Sequence, residues 1–313
     1  MTEAAGTAGD PPARVLDLVD PRLLETTVRR LQGPRHPQAA PEALRRAADL
    51  IQESLRAAGL AVERRPFEFR GNRHDNIIGR VPGSAPDEPR LLVGAHYDTV
   101  AGSPGADDNA SGIAVLLEVA RHAAGIGPAR TLEFVAFNLE EPQDSFGTYR
   151  VGSKRFAAAA RAEGRRYAGA IVLEMVGYTD PEPGTQQVPP LVFKRVPSEG
   201  TFLAAVGDGR SRRLLRAFAR ASARQVPELT VITYRTWLRG WLLPLTRLSD
   251  NASFWDRRYP ALMITDTAFL RNPHYHMTTD IADTLDFAFM ASVSRSVLAA
   301  VIEIAGPPSA TPG

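Results

Sequence analysis

The chain has 313 residues, 44% of them apolar, with 37 basic side chains against 35 acidic ones and no cysteine. That length can bury a sizeable core, and the missing cysteine excludes disulfides, thiolate metal sites and a cysteine nucleophile. Arginines interleaved with acids argue against a nucleic-acid-binding surface, and any metal must be held by histidine and carboxylate.

In chain order, residues 1–14 are rich in Pro, Gly and Ala, and no basic segment followed by an apolar core marks a secretory signal. A disordered start and a cytoplasmic protein are the expectations, with no apolar run long enough to suggest a membrane span. PEALRRAADLIQESLRAAG (41–59) has helical apolar spacing, Pro at its start and Gly at its end. AVERRPFEF, NIIGRV and RLLVGAHYD follow as strands, then the helix ASGIAVLLEVARHAA (110–124) and the strand TLEFVAFN (131–138). GSKRFAAAARAEG (152–164) reads as a helix, and AGAIVLEMV (168–176) as a strand buried on both faces.

Residues 177–200, rich in Pro and Gly, read as a long ordered loop. Then come a helix over 211–224, the strand LTVITYR, the strand YPALMITD (259–266) and a closing helix. The tail 306–313 is expected to be disordered. Alternating strands and helices predict one domain over 15–305, a three-layer α/β/α sandwich on a mixed, mostly parallel sheet.

In such sheets ligand sites gather at the carboxyl ends of strands. RLLVGA ends in His96-Tyr97-Asp98, TLEFVAFNL in Glu140-Glu141, AIVL in Glu174, and YPALMITD runs into His274-Tyr275-His276. PGADDNASG (104–112) lies in the loop after the first of these. Asp98, two residues after His96, shares its side and can orient its ring. In Glu140-Glu141, one carboxylate can hold a metal while the other acts as general base once the backbone turns. Two histidines with several carboxylates and no sulfur suit zinc, with other divalent metals open. Asp107, Asp108 and Asn109 are also natural helix caps. Glu174 interrupts an apolar pattern, and a buried carboxylate needs a partner.

GAHYDTV, PGADDNASG, NLEEP, LEMVGY, SDNASFW, YPALMITDTA and RNPHYHMTTD, in this order, resemble the M28 family of metallopeptidases, the zinc aminopeptidases. The resemblance covers roughly residues 40–305. It implies two zinc ions, with His96, Asp108, Glu141, Glu174 and His276 as ligands, Asp108 bridging, and Asp98 behind His96. It further implies Glu140 as general base and Tyr275 as a donor to the tetrahedral intermediate. Met175 would line the pocket for the first side chain, with the 177–200 loop, including Phe193, as its wall. Trp237 and Trp241 are candidates for that wall or for the core.

Two departures stand out: Glu174 occupies a position where the family mostly has aspartate, and Asn251 replaces a histidine. The implied activity is removal of an N-terminal residue from a peptide or small aminoacyl substrate. Glutaminyl cyclase, a carboxypeptidase or dipeptidase, and a degenerate family member that only binds ligands are the alternatives.

Overall fold

A computed structural model describes residues 15–144, 147–190, 192 and 195–307. The expected disorder of 1–14 and 308–313 and the wall role of Phe193 lie outside the described residues. Among the described residues, eight strands form one sheet: β1 (Ala61–Phe69), β2 (Asn72–Val81), β3 (Arg90–His96), β4 (Leu132–Phe137), β5 (Tyr167–Leu173), β6 (Leu203–Gly207), β7 (Val231–Arg235) and β8 (Ala261–Thr265). Their order is β1-β2-β4-β3-β5-β8-β6-β7. The block β4-β3-β5-β8 is parallel throughout, β1 and β2 extend it antiparallel, and β6 pairs antiparallel with β8 and parallel with β7.

Helices α1 (Pro21–Leu31), α2 (Pro41–Ala57), α3 (Gly112–Ala123), α4 (Val151–Ala162), α5 (Arg212–Gln225), α6 (Asn251–Asp256) and α7 (Phe287–Ala305) cover both faces. Side chains alternate across a strand, so β3 sends Leu91 and Val93 to one core and Leu92 to the other. The first core packs α1, α2, α3, α5 and α7 on the sheet; the second packs α4 and α6, through Phe156, Phe254 and Trp255. Burial on both sides explains why β3, β4 and β5 read as unbroken apolar runs. The three-layer α/β/α architecture is therefore the observed one.

Several elements differ from the sequence reading. Strand β6 went unrecognised: it is five residues long, two of them alanine, and too short for periodicity to register. Helix α1 was also missed, although Asp20 caps it by accepting from Arg22 N and Leu24, Val28 and Leu31 are buried at helical spacing. Helix α7 is, by length and composition, apolar enough to cross a bilayer, contrary to expectation, but 67% of its most apolar 18-residue stretch is buried inside the protein. It packs there on α3 and α5. Gly306, placed in the tail by sequence, is fastened: its carbonyl accepts from Ala129 N at 3.1 Å. The 177–200 loop closes on itself through paired backbone bonds between Asp180 and Gly200.

Candidate metal centre

His96 is the last residue of β3, Glu174 directly follows β5, Glu140 and Glu141 follow β4, and His276 lies in the loop after β8. Parallel pairing of β4, β3, β5 and β8 brings these four strand ends to one edge. The backbone turns there: Leu139 (φ 56), Met175 (φ 50) and His276 (φ 61) all adopt left-handed conformations that non-glycine residues seldom take. The turn at Leu139 is what frees the adjacent Glu140 and Glu141 from the opposite-sides rule of a strand.

Asp108 sits in the irregular turn Ala106–Ser111 between β3 and α3. Its Oδ1 lies 3.2 Å from His96 Nε2, which is 3.4 Å from Glu174 Oε1. Its Oδ2 lies 3.2 Å from His276 Nε2, which is 3.3 Å from Glu141 Oε2. Two donor groups, His96–Asp108–Glu174 and Asp108–Glu141–His276, thus share one aspartate, an oxygen to each. Around a tetrahedral ion with bonds of about 2.1 Å, donor atoms stand about 3.4 Å apart. The observed separations fit that figure. Asp108 Oδ1, Glu141 Oε1 and His276 Nε2 are moreover buried without a hydrogen-bond partner, where buried polar atoms are normally satisfied. A pair of divalent cations would satisfy them.

The titration of the site has the same origin. Burial works against charge on His276, but Asp108 and Glu141 outweigh it and hold its pKa up at about 10. Burial and the Asp108 charge push Glu141 up to about 8. Burial of Asp108 is outweighed by the two imidazoles, which lower its pKa. Protons occupy the places that cations would take.

Glu140 lines the cavity next to these groups, with Oε1 buried and unpartnered. Its pKa is raised well above the carboxylate range, by burial first and then by Glu174, Asp250 and Glu141, with His96 opposing. Asp98 stands between the two strands. Its carboxylate is 3.6 Å from His96 Nδ1, beyond a good hydrogen bond, and the ring nitrogen instead faces the Asp98 carbonyl at 3.2 Å. The carboxylate oxygens accept the N–H groups of Glu140 (3.0 Å) and Glu141 (3.2 Å). Asp98 therefore holds the acidic pair as much as the histidine. Tyr275 lines the cavity and stacks on His276 at 3.8 Å; burial and the surrounding carboxylates raise its pKa, so it keeps its proton.

The three neighbours in Asp107-Asp108-Asn109 divide their work. Asp107 turns away, accepting from Gly177 N and from Asn272 Nδ2 at 2.6 Å. Asn109 accepts from Gly112 N at the start of α3 and from Met175 N, and donates to Leu173 O. Gly105 (φ 62) is needed to enter the turn, since a Cβ there would meet Asp108 O at 2.5 Å.

Supports that the sequence did not announce surround these groups. Asp280 accepts from the backbone N–H of Asp107 (2.7 Å) and Asp108 (3.1 Å). Ser249 donates to Glu174 Oε2 at 2.5 Å, fixing the longer arm of this glutamate. The buried guanidinium of Arg35 donates to the carbonyls of Leu31, Gly33, Tyr97, Pro104 and Gly105. Only the spacing HMTTD, putting an acid just past His276, offered a signal for Asp280.

Two expectations need correcting. Met175 is fully buried and does not line the cavity, because its left-handed backbone is held by Asn109 and Asp266; Met263 of β8 lines it instead. Trp237 and Trp241 are 63% and 60% exposed, so neither is core, and neither lines the cavity. Asn251 donates to Thr246 O and holds a loop at the start of α6. Gln186, Gln187, Val188, Pro189, Val192 and Val196 of the expected wall do line the cavity.

The profile of Peptidase family M28 matches residues 76–301. The chain belongs to this family. An uncharacterized protein of Escherichia coli, YfbL, is 36% identical over 89% of this chain and 86% of its own length. A probable leucine aminopeptidase of Arthroderma otae is 25% identical over 82% of this chain and 63% of its own. Among solved structures, an aminopeptidase of Aneurinibacillus shares the fold with TM-score 0.72 and 18% identity, over 95% of this chain and 97% of that one. Glutaminyl cyclase of Porphyromonas gingivalis does so with TM-score 0.69 and 22% identity, over 91% and 98%.

Proposed function

We propose that this peptidase is an aminopeptidase holding two zinc ions on His96, Asp108, Glu141, Glu174 and His276. The observation that carries the reading is the division of Asp108 between two donor groups, each with a histidine and a second carboxylate. The ions, when bound, supply Lewis acidity and lower the pKa of water enough to make a nucleophile near neutral pH. Glu140, unpartnered beside the donor groups and ionised once neighbouring cations offset the burial that raises its pKa, would take the proton of the attacking water and return it to the leaving amine. Tyr275, which keeps its proton, donates to the oxygen of the carbonyl as negative charge develops there. The excess of carboxylates favours a substrate with a free amino group, which their charge attracts. Asp98 keeps the base and its neighbour in register.

The test is Glu140→Gln assayed on aminoacyl reporter substrates. Hydrolysis is expected to fall by about 10²–10⁴-fold, with metal content unchanged at two ions per chain. Full activity in that variant removes Glu140 from the role. One ion per chain, with cyclisation of an N-terminal glutamine, would transfer the chain to the cyclase reading, whose solved members share this fold.

A further inference from the structure

Beside the metal-type cluster the cavity continues as an apolar arm across the last three strands of the sheet. Thr265 of β8, Ala204 of β6 and Ile232 of β7 stand in one register row, and Met263, Val206 and Tyr234 in the next. All six line the cavity. Residues two apart on a strand share a face, so the six form one floor, three strands wide and two residues long. At about 4.8 Å between strands, the floor measures roughly 10 Å across. The volume of the whole cavity is about 360 Å³, within the range of roughly 300–1,000 Å³ that holds small-molecule ligands. A single aliphatic side chain would leave most of such a cavity empty. Val188, Leu248 and Phe269, from three different loops, line the cavity and remain exposed, so its rim is apolar as well.

We infer that the arm selects substrates whose residue next to the free amine carries a bulky aromatic or extended apolar group, with Ala204 setting its reach. The inference rests on the aminopeptidase reading for the reacting end of the substrate. Ala204 is the smallest residue in the floor and lies at the middle of its row, between Thr265 and Ile232. A larger side chain there fills empty space, so it shortens the arm without overpacking a core. Discrimination of about 10–200-fold is what one methylene's worth of apolar contact supplies.

The experiment compares naphthylalanyl, leucyl and alanyl reporter amides on the metal-loaded protein. Naphthylalanyl is expected to exceed leucyl in kcat/KM by at least about tenfold. In Ala204→Leu that preference is expected to collapse by about 10–200-fold, with kcat/KM for the short alanyl substrate falling least of the three. Tyr234→Ala, at the partly exposed far corner of the floor, opens the arm and is expected to raise the preference for extended groups. A second arm needs no catalysis: N-phenyl-1-naphthylamine, an uncharged apolar fluorophore, is titrated into both proteins with chelator present. Binding at least tenfold weaker in Ala204→Leu supports the arm even if no aminoacyl reporter is cleaved, an outcome that sinks the aminopeptidase reading alone. A leucyl preference equal to or above naphthylalanyl overturns the inference. So does dye affinity unchanged in a folded Ala204→Leu, or in Tyr234→Ala should the former not fold.

Discussion

The two halves of the sheet solve different problems with the same geometry. The ends of β4, β3, β5 and β8 gather charge: His96, Glu140, Glu141, Glu174 and His276 converge there, steadied by Asp98, Asp280 and Ser249. The faces of β8, β6 and β7 gather apolar surface, with no carboxylate, imidazole or basic side chain among the six floor residues. In the first half, position along the strand matters, and Asp98, Asp280 and Ser249 hold Glu140, Glu141, Asp108 and Glu174 in place by hydrogen bonds. In the second, register across strands matters, and side-chain volume alone defines the space. The proposed chemistry and the proposed selectivity therefore fall on separate parts of the sheet.

The sharpest way to break that comparison is to remove the shared aspartate. Asp108→Ala is expected to abolish hydrolysis and to cost at least one metal ion per chain, read by elemental analysis, because both donor groups lose a member. Tyr275→Phe leaves the donors intact and is expected to lower kcat by about 10²–10³-fold with KM little changed, as loss of one oxyanion donor does. A smaller effect follows from pH. Without metal, His276 keeps its proton up to about 10, so metal uptake near neutrality must expel it, and affinity rises with pH until that value is passed. Competition with a chelator at pH 6.5 and 7.5 is expected to give an affinity about tenfold tighter at the higher value for each proton released. Least of all, Asn272→Ala deprives buried Asp107 of the Nδ2 donor at 2.6 Å. A loss of about 1–3 kcal/mol in stability is expected, seen as a lower melting temperature in the metal-free protein.

The same division governs what could be read from the chain. His96, Asp98, Glu140, Glu141 and Glu174 interrupt or closely follow apolar runs, so their places at strand ends show in the letters, while His276 stands in the loop that the last strand runs into. Choosing Asp108 over Asp107 and Asn109 needed the family resemblance, since all three are sound helix caps. In the structure the cap-like bond to Gly112 belongs to Asn109. The cavity floor was invisible for a different reason. Ala204 and Val206 are ordinary letters in a strand too short to recognise, and their meaning comes from pairing with β7 on one side and β8 on the other. Met175 misled because sequence adjacency to Glu174 says nothing of a left-handed backbone that turns it inward. Asp280 and Arg35 were passed over because what they bind is backbone, and backbone has no letter.

Arg35 lies outside the stretch that matches the family, residues 76–301. Its guanidinium gathers five carbonyls, three of them in the segment running from the end of β3 toward Asp108. A fragment trimmed to the matching stretch would keep every residue of the donor set and lose the clasp that shapes the turn beneath them. The oxygen atoms of Tyr97, Pro104 and Gly105 would then have to find water in a place built to exclude it. The match thus ends short of the folded unit, since Arg35, upstream of it, shapes the turn that carries Asp108.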